Sequence, residues 1–150
     1  MTFAVASDHA GFPIKDRIIQ ELRSLGHEVA DLGTNSCAPV DFPDFARAAA
    51  LAIQQGRAER AVLLCGSGAG SCVAANKFKG VRAATCHDSY SARQCVEHDE
   101  VNVLCLGARV IGDALAVDLV RIYAQARFDG EERHRRRMEK IAAFEADPGR

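Results

Sequence analysis

Five short apolar runs, none longer than six residues, are separated from one another by stretches of helical period, and this alternation restricts the chain to few architectures. The runs are Phe3–Ser7, Glu28–Leu32, Ala61–Cys65, Val81–Cys86 and Asn102–Leu106. Short apolar segments bounded by turn residues read as strands, and their alternation with helices is the signature of a parallel sheet with crossover connections. Between them, Ile14, Ile18, Ile19, Leu22 and Leu25 form one apolar helical face closed by Gly26, and Phe45 to Gln55 forms an alanine-rich second helix. Ser71 to Asn76 opens a further helix, and others run from about Ser89 to His98, Asp113 to Arg127 and Glu131 to Ala146. The expected fold is α/β: a single doubly wound, Rossmann-like domain over residues 1–150. Its five-stranded parallel sheet carries helices on both faces and a C-terminal helix.

Composition narrows the function classes. With 48% apolar and 26% charged residues in 150, the chain suits one soluble core. No apolar stretch approaches the roughly 18 residues of a spanning helix, and the amino terminus enters a strand too early for a signal peptide. A formal charge of −1 gives no general attraction to nucleic acid. Six cysteines without a Cys-x-x-Cys pair argue for reduced thiols in a cytoplasmic protein rather than a disulfide framework or a zinc site. Five of them, Cys37, Cys72, Cys86, Cys95 and Cys105, read as small buried hydrophobes.

Cys65 differs, because it ends a strand and heads the ladder Cys65-Gly66-Ser67-Gly68-Ala69-Gly70. A strand-to-helix glycine turn aims backbone N–H groups at an anion, and a helix N-terminus favours a thiolate. Open α/β sheets bind ligands at the carboxyl ends of their strands, so the other strand ends gain interest. They carry Asp8-His9-Ala10-Gly11, Asp31-Leu32-Gly33-Thr34, His87-Asp88-Ser89 and Gly107-Ala108-Arg109. Taken singly these have plain readings; Asp8 could cap the first helix and Arg109 could be a solvated charge. On the last helix Arg133 and Arg137 lie four apart on one face and could clamp a phosphate or carboxylate, with His134 between them. Glu131, Glu132 and Glu139 could equally balance a solvated basic run.

Together these segments, with Ala74-Ala75-Asn76-Lys77, Gly80-Val81-Arg82-Ala83, Asn102-Val103-Leu104, Gly107 to Gly112 and Arg133-His134-x-x-Arg137, resemble ribose-5-phosphate isomerase of the B type. That family shares its fold with the galactose-6-phosphate and allose-6-phosphate isomerases, and the resemblance covers nearly the whole chain. It implies interconversion of an aldose phosphate and a ketose phosphate without metal or organic cofactor, in a homodimer or a dimer of dimers with composite sites. Cys65 is then the base, with Ser67 in the catalytic set and the N–H groups of Gly66, Ser67, Gly68, Ala69 and Gly70 as oxyanion donors. His98 occupies the ring-opening position, and Asp8 assists or orients the sugar hydroxyls. His9, Arg109, Arg133 and Arg137 match phosphate-binding positions, with His134 nearby, and the carboxy-terminal arginines reach into the partner's site.

The departures concern the sugar. Asp99 follows His98 where family members commonly carry Asn, and Phe42 stands where many ribose-acting members have Tyr. Allose, galactose or four-carbon sugar phosphates are therefore alternative substrates. Ser71 occupies the place of the glutamate base used by one branch, which favours Cys65. A dinucleotide-binding module, with Asp88 as ribose contact, is the rival of another class, but Gly-x-Gly-x-x-Gly would need glycine at Ser71. A binding module on the same fold would leave Cys65 without a role.

Overall fold

Alternating large and small residues along the strands decide how the layers of this protein stack. A computed structural model describes residues 1–147. Its elements are β1 (Thr2–Ser7), α1 (Phe12–Ser24), β2 (Glu28–Asp31), α2 (Phe42–Gln54), β3 (Arg60–Cys65), α3 (Ala69–Ala75), β4 (Ala83–Thr85), α4 (Ser89–Glu97), β5 (Val103–Gly107), α5 (Asp113–Gln125) and α6 (Glu132–Ala146). The five strands form one parallel sheet in the order β2-β1-β3-β5-β4. This is the expected doubly wound α/β architecture.

Period two sends Phe3, Val5, Val62, Leu64, Leu104 and Leu106 to one face, where they meet Ile18, Leu22, Leu119 and Tyr123 of α1 and α5. Each large side chain buried there is worth roughly 1.5–3 kcal/mol. The opposite face carries Ala4, Ala6, Ala61 and Leu63 against the alanines of α2 and α3. Small residues on both sides of that interface let the helices sit close to the sheet.

Two boundary shifts and one difference in burial matter most against the sequence expectation. α2 begins at Phe42 rather than Phe45, because Pro43 suits the first helical turn. β4 is shorter than Val81–Cys86: Asn76 takes both the N–H and the C=O of Ala83, and Asn102 binds the Arg82 N–H and the Gly80 C=O, so side chains stand in for ladder partners. Cys86, Cys95 and Cys105 are buried as expected, whereas Cys37 is exposed in the loop ahead of α2, where no strand exists to cover it.

From β1 the chain winds to β2 on one side, while β3 adjoins β1 on the other. The carboxyl ends of β1 and β3 therefore flank a switch point, the place where such sheets hold ligands.

Candidate active site

The loop after β1 is pressed onto the end of β3. A Cβ on Gly11 would come within 2.3 Å of the Leu64 carbonyl oxygen, so only glycine permits the approach. The Asp8 Oδ1 accepts N–H bonds from Ala10 at 2.8 Å and Gly11 at 3.0 Å, fixing the turn that leads into α1. Asp8 is not the cap of α1, whose N-cap is Gly11 with no side-chain cap bond; it closes the turn ahead of the helix, and its carboxylate also borders the cleft beside Cys65.

Cys65 lies on the α2/α3 face of the sheet with Leu63 and is 4% exposed. Its Sγ accepts the Gly68 N–H at 3.1 Å, closing the strand-to-helix turn upon the sulfur. Gly68 adopts φ 82°, and a Cβ there would lie 3.0 Å from the Thr85 Cγ2, so a side chain at 68 is disfavoured twice. Asp8, Cys65, Gly66, Ser67, Gly70 and Arg109 line a cleft of about 370 Å³, with Phe42 and Val110 as its apolar wall. The Phe42 ring rests against Gly70, 2.9 Å from where a Cβ would be. Nothing in the sequence singled out Val110.

Two of the five expected oxyanion donors are engaged. The Gly68 N–H is given to Cys65, and the Ala69 N–H bonds the Ser67 Oγ at 3.2 Å. Gly66, Ser67 and Gly70 remain as candidates. His9 is half-buried and holds the loop before α2 by accepting the Val40 N–H on Nδ1 at 3.2 Å, which leaves Nε2 as its N–H in the neutral ring. His87 accepts the Gly107 N–H on Nε2 at 2.9 Å, anchoring the strand end that carries Arg109. Beneath the β1 and β2 ends lies a cation the sequence reading missed. Lys15 is 2% exposed and bridges the Asp31 Oδ2 and the Thr34 carbonyl, both at 2.8 Å.

The remaining expected residues lie elsewhere. α4 leaves the carboxyl edge and returns to the amino edge before β5, so His98 and Asp99 sit at the far end of the sheet from Cys65. A five-residue strand alone spans roughly 16 Å. α5 makes the same return, and the Asp129 N–H bonds the Glu97 C=O at 3.0 Å. α6 follows the amino edge, its Glu145 accepting the Gly80 N–H at 3.0 Å. Arg133, Arg137, His134, His98 and Asp99 therefore do not join Cys65 within one chain. Arg133 and Arg137 are exposed, and Arg133 pairs with Glu131 at 2.8 Å. His134 is 1% exposed, with Nδ1 2.9 Å from both Asp129 carboxylate oxygens, so in a single chain it is a core histidine rather than a phosphate ligand.

Cys72, expected as core filling, is only partly buried, and its thiol is lowered to about 6. The hydrogen bond with the Cys105 thiol is the chief cause, and Thr85 and Asn76 add to it against the opposing effect of burial. Cys72 does not line the cleft, so position still selects Cys65.

A thiol, a carboxylate and an arginine gathered on a glycine turn at the switch point of a doubly wound sheet define an α/β protein that handles small anionic molecules. Residues 3–141 match the family model described as Ribose/Galactose Isomerase, and the chain belongs to that family. It is 42% identical to ribose-5-phosphate isomerase B of Escherichia coli (strain K12), over 95% of either chain. With a D-erythrulose-4-phosphate isomerase of Pectobacterium atrosepticum it shares 37% identity, over 97% of this chain and 95% of the relative. The crystal structure of ribose-5-phosphate isomerase B from Mycoplasma genitalium with bound ribulose-5-phosphate superposes with a TM-score of 0.92 at 38% identity, over 97% of each chain. Among the described residues no helix is long and apolar enough to cross a membrane.

Proposed function

We propose that this chain is a cytoplasmic, cofactor-independent isomerase that interconverts ribose 5-phosphate and ribulose 5-phosphate, working as a homodimer, or a dimer of dimers, with composite sites. One subunit supplies the carboxyl-edge cleft, and a second copy supplies His98, Asp99, Arg133 and Arg137 from its amino edge. The separation of these two groups within one chain supports that division.

Catalysis begins on the cyclic aldose. The partner's His98 gives a proton to the ring oxygen as the C1–O bond breaks, and the anomeric hydroxyl loses its proton to Asp8. The Cys65 thiolate then takes the C2 proton while the C=O electrons at C1 move onto oxygen. The resulting enediolate is held by the free N–H groups of the glycine turn and by Ser67. Return of the proton to C1, with transfer between the two oxygens, gives the ketose. His9, Arg109 and the partner's two arginines grip the phosphate.

The observation that carries this reading is the Cys65 sulfur under the Gly68 N–H in a cleft shared with Asp8 and Arg109. Cys65→Ala should abolish solvent exchange of the C2 proton while leaving the circular dichroism spectrum unchanged. Near wild-type exchange in that variant overturns the base assignment.

A four-carbon sugar phosphate is the second reading. Phe42 favours it by placing a ring without a hydroxyl on the cleft wall against Gly70. Turnover across four-, five- and six-carbon aldose phosphates separates the two. Inactivity on all of them, together with tight nucleotide binding, favours the dinucleotide rival instead.

A further inference from the structure

Asp129 sits where α4, α5 and α6 meet, and no step described so far uses it. Its backbone N–H bonds the Glu97 C=O at 3.0 Å, one residue before His98. Its carboxylate meets the His134 Nδ1 at 2.9 Å through both oxygens, and Oδ1 also accepts the Glu131 N–H at 2.9 Å. The His134 ring stacks on the His98 ring with centroids 4.1 Å apart and planes inclined by 22°. On its far side His98 receives the Gln94 amide N–H on Nδ1 at 3.0 Å. That bond places the ring proton on Nε2, which lies 3.8 Å from the Asp129 Oδ2.

These contacts fix three things at once: the tautomer of His98, the plane of its ring, and the first turn of the helix carrying Arg133 and Arg137. A metal ion is a poor fit to the same three side chains. Stacked imidazoles direct their nitrogen lone pairs within parallel planes, and tetrahedral coordination needs them to converge. The carboxylate orients His134 through Nδ1, and His134 sets the plane of the His98 ring by stacking, while the His98 Nε2–H lies beyond hydrogen-bond distance of Asp129 and is not consumed by it.

We propose that Asp129 is a positioning residue which, through His134, holds the His98 imidazole with its Nε2–H presented to the ring oxygen of a substrate bound in the partner's cleft. This rests on the composite-site reading above. Asp129 touches neither the sugar nor the reacting carbons, so its removal should impair opening of the sugar ring and spare the proton transfer that follows.

The two phosphorylated pentoses separate these steps. Ribose 5-phosphate is mostly a closed furanose and needs ring opening. Ribulose 5-phosphate cannot close a furanose, because its 5-oxygen carries the phosphate, and it reaches the enediolate directly. In Asp129→Asn, net turnover of ribose 5-phosphate should fall by about tenfold or more, on the scale of lost general acid catalysis. Deuterium uptake into C1 of ribulose 5-phosphate in D2O should stay within about threefold of wild type, well short of that loss. Asp129→Glu, which keeps the carboxylate, should recover most of the loss. ¹⁵N spectra should show His134 protonated on Nδ1 in the wild type and distributed over both nitrogens in Asp129→Asn.

Equal losses of turnover and exchange in Asp129→Asn, or wild-type turnover in it, overturn the proposal. His98→Asn, measured alongside, tells which reading has failed. If His98→Asn loses ribose 5-phosphate turnover while Asp129→Asn does not, only the role of Asp129 falls. If His98→Asn turns over normally, the composite reading falls and the role of Asp129 falls with it.

Discussion

The two edges of the sheet are built from different materials. At the carboxyl edge the backbone does most of the work: Gly11 admits the β1 loop against Leu64, and Gly68 turns its N–H onto the Cys65 sulfur. At the amino edge the work is done by side chains, with Asp129, His134 and His98 clasping the ends of three helices. In the proposed mechanism the first edge binds charge that forms during the reaction, while the second presents charge outward on α6. On the composite-site proposal, a chain that keeps these two sets of residues at opposite ends of its strands supplies half of each of two sites.

Gly68→Val would break this contrast most severely. The positive φ and the 3.0 Å approach to Thr85 force the turn to move, so activity should fall by at least about a hundredfold. The His134 Nδ1 proton signal should persist, because the amino-edge clasp is untouched. Its loss would show that the edges are coupled through the sheet. Arg137→Ala makes the opposite cut. The Michaelis constant for phosphorylated sugars should rise about tenfold with kcat unchanged, and an unchanged constant removes Arg137 from the phosphate grip.

Two smaller effects sharpen the picture. Cys72 should be alkylated by iodoacetamide at a rate that rises through about pH 6, as its thiolate forms, and peptide mass mapping reads that rate. A rise centred near pH 8.5, the ordinary thiol value, would contradict the hydrogen bonding with Cys105, Thr85 and Asn76. At the amino edge, the hydrogen bond from His134, followed by the Glu131 N–H, holds the Asp129 carboxyl below its usual range. A carboxyl lowered in the folded state contributes stability above its unfolded value, and that contribution fades as pH falls through the folded one. The His134 Nδ1 proton signal should therefore survive below about pH 4, where an ordinary Asp is half protonated, and vanish at lower pH.

Much of the carboxyl edge was legible in the sequence because its signals are local. An apolar run followed by a glycine ladder specifies strand, turn and helix within ten or so neighbours, and Cys65 is placed by that grammar alone. Val110 and Lys15 escaped because their roles depend on packing between distant segments: Lys15 reaches Asp31 and Thr34 across the α1–β2 connection. Gly68 and Ala69 were read as donors to a ligand, but their N–H groups turn back onto Cys65 and Ser67. His134 was read beside Arg133 and Arg137 as part of a phosphate-binding group. Only the tertiary fold brings Asp129 beneath it, which buries the imidazole and reverses that reading.

The central claim, that each site is completed by a second copy of the chain, is tested most directly by mixing two inactive variants. Cys65→Ala keeps His98, and His98→Asn keeps Cys65. A mixed dimer then holds one intact site and one doubly damaged site. After unfolding and refolding an equal mixture, half the dimers are mixed, so ribose 5-phosphate turnover should recover to about a quarter of wild type. No recovery above the two separate variants, in a preparation shown by native mass spectrometry to contain the mixed dimer, would contradict the claim.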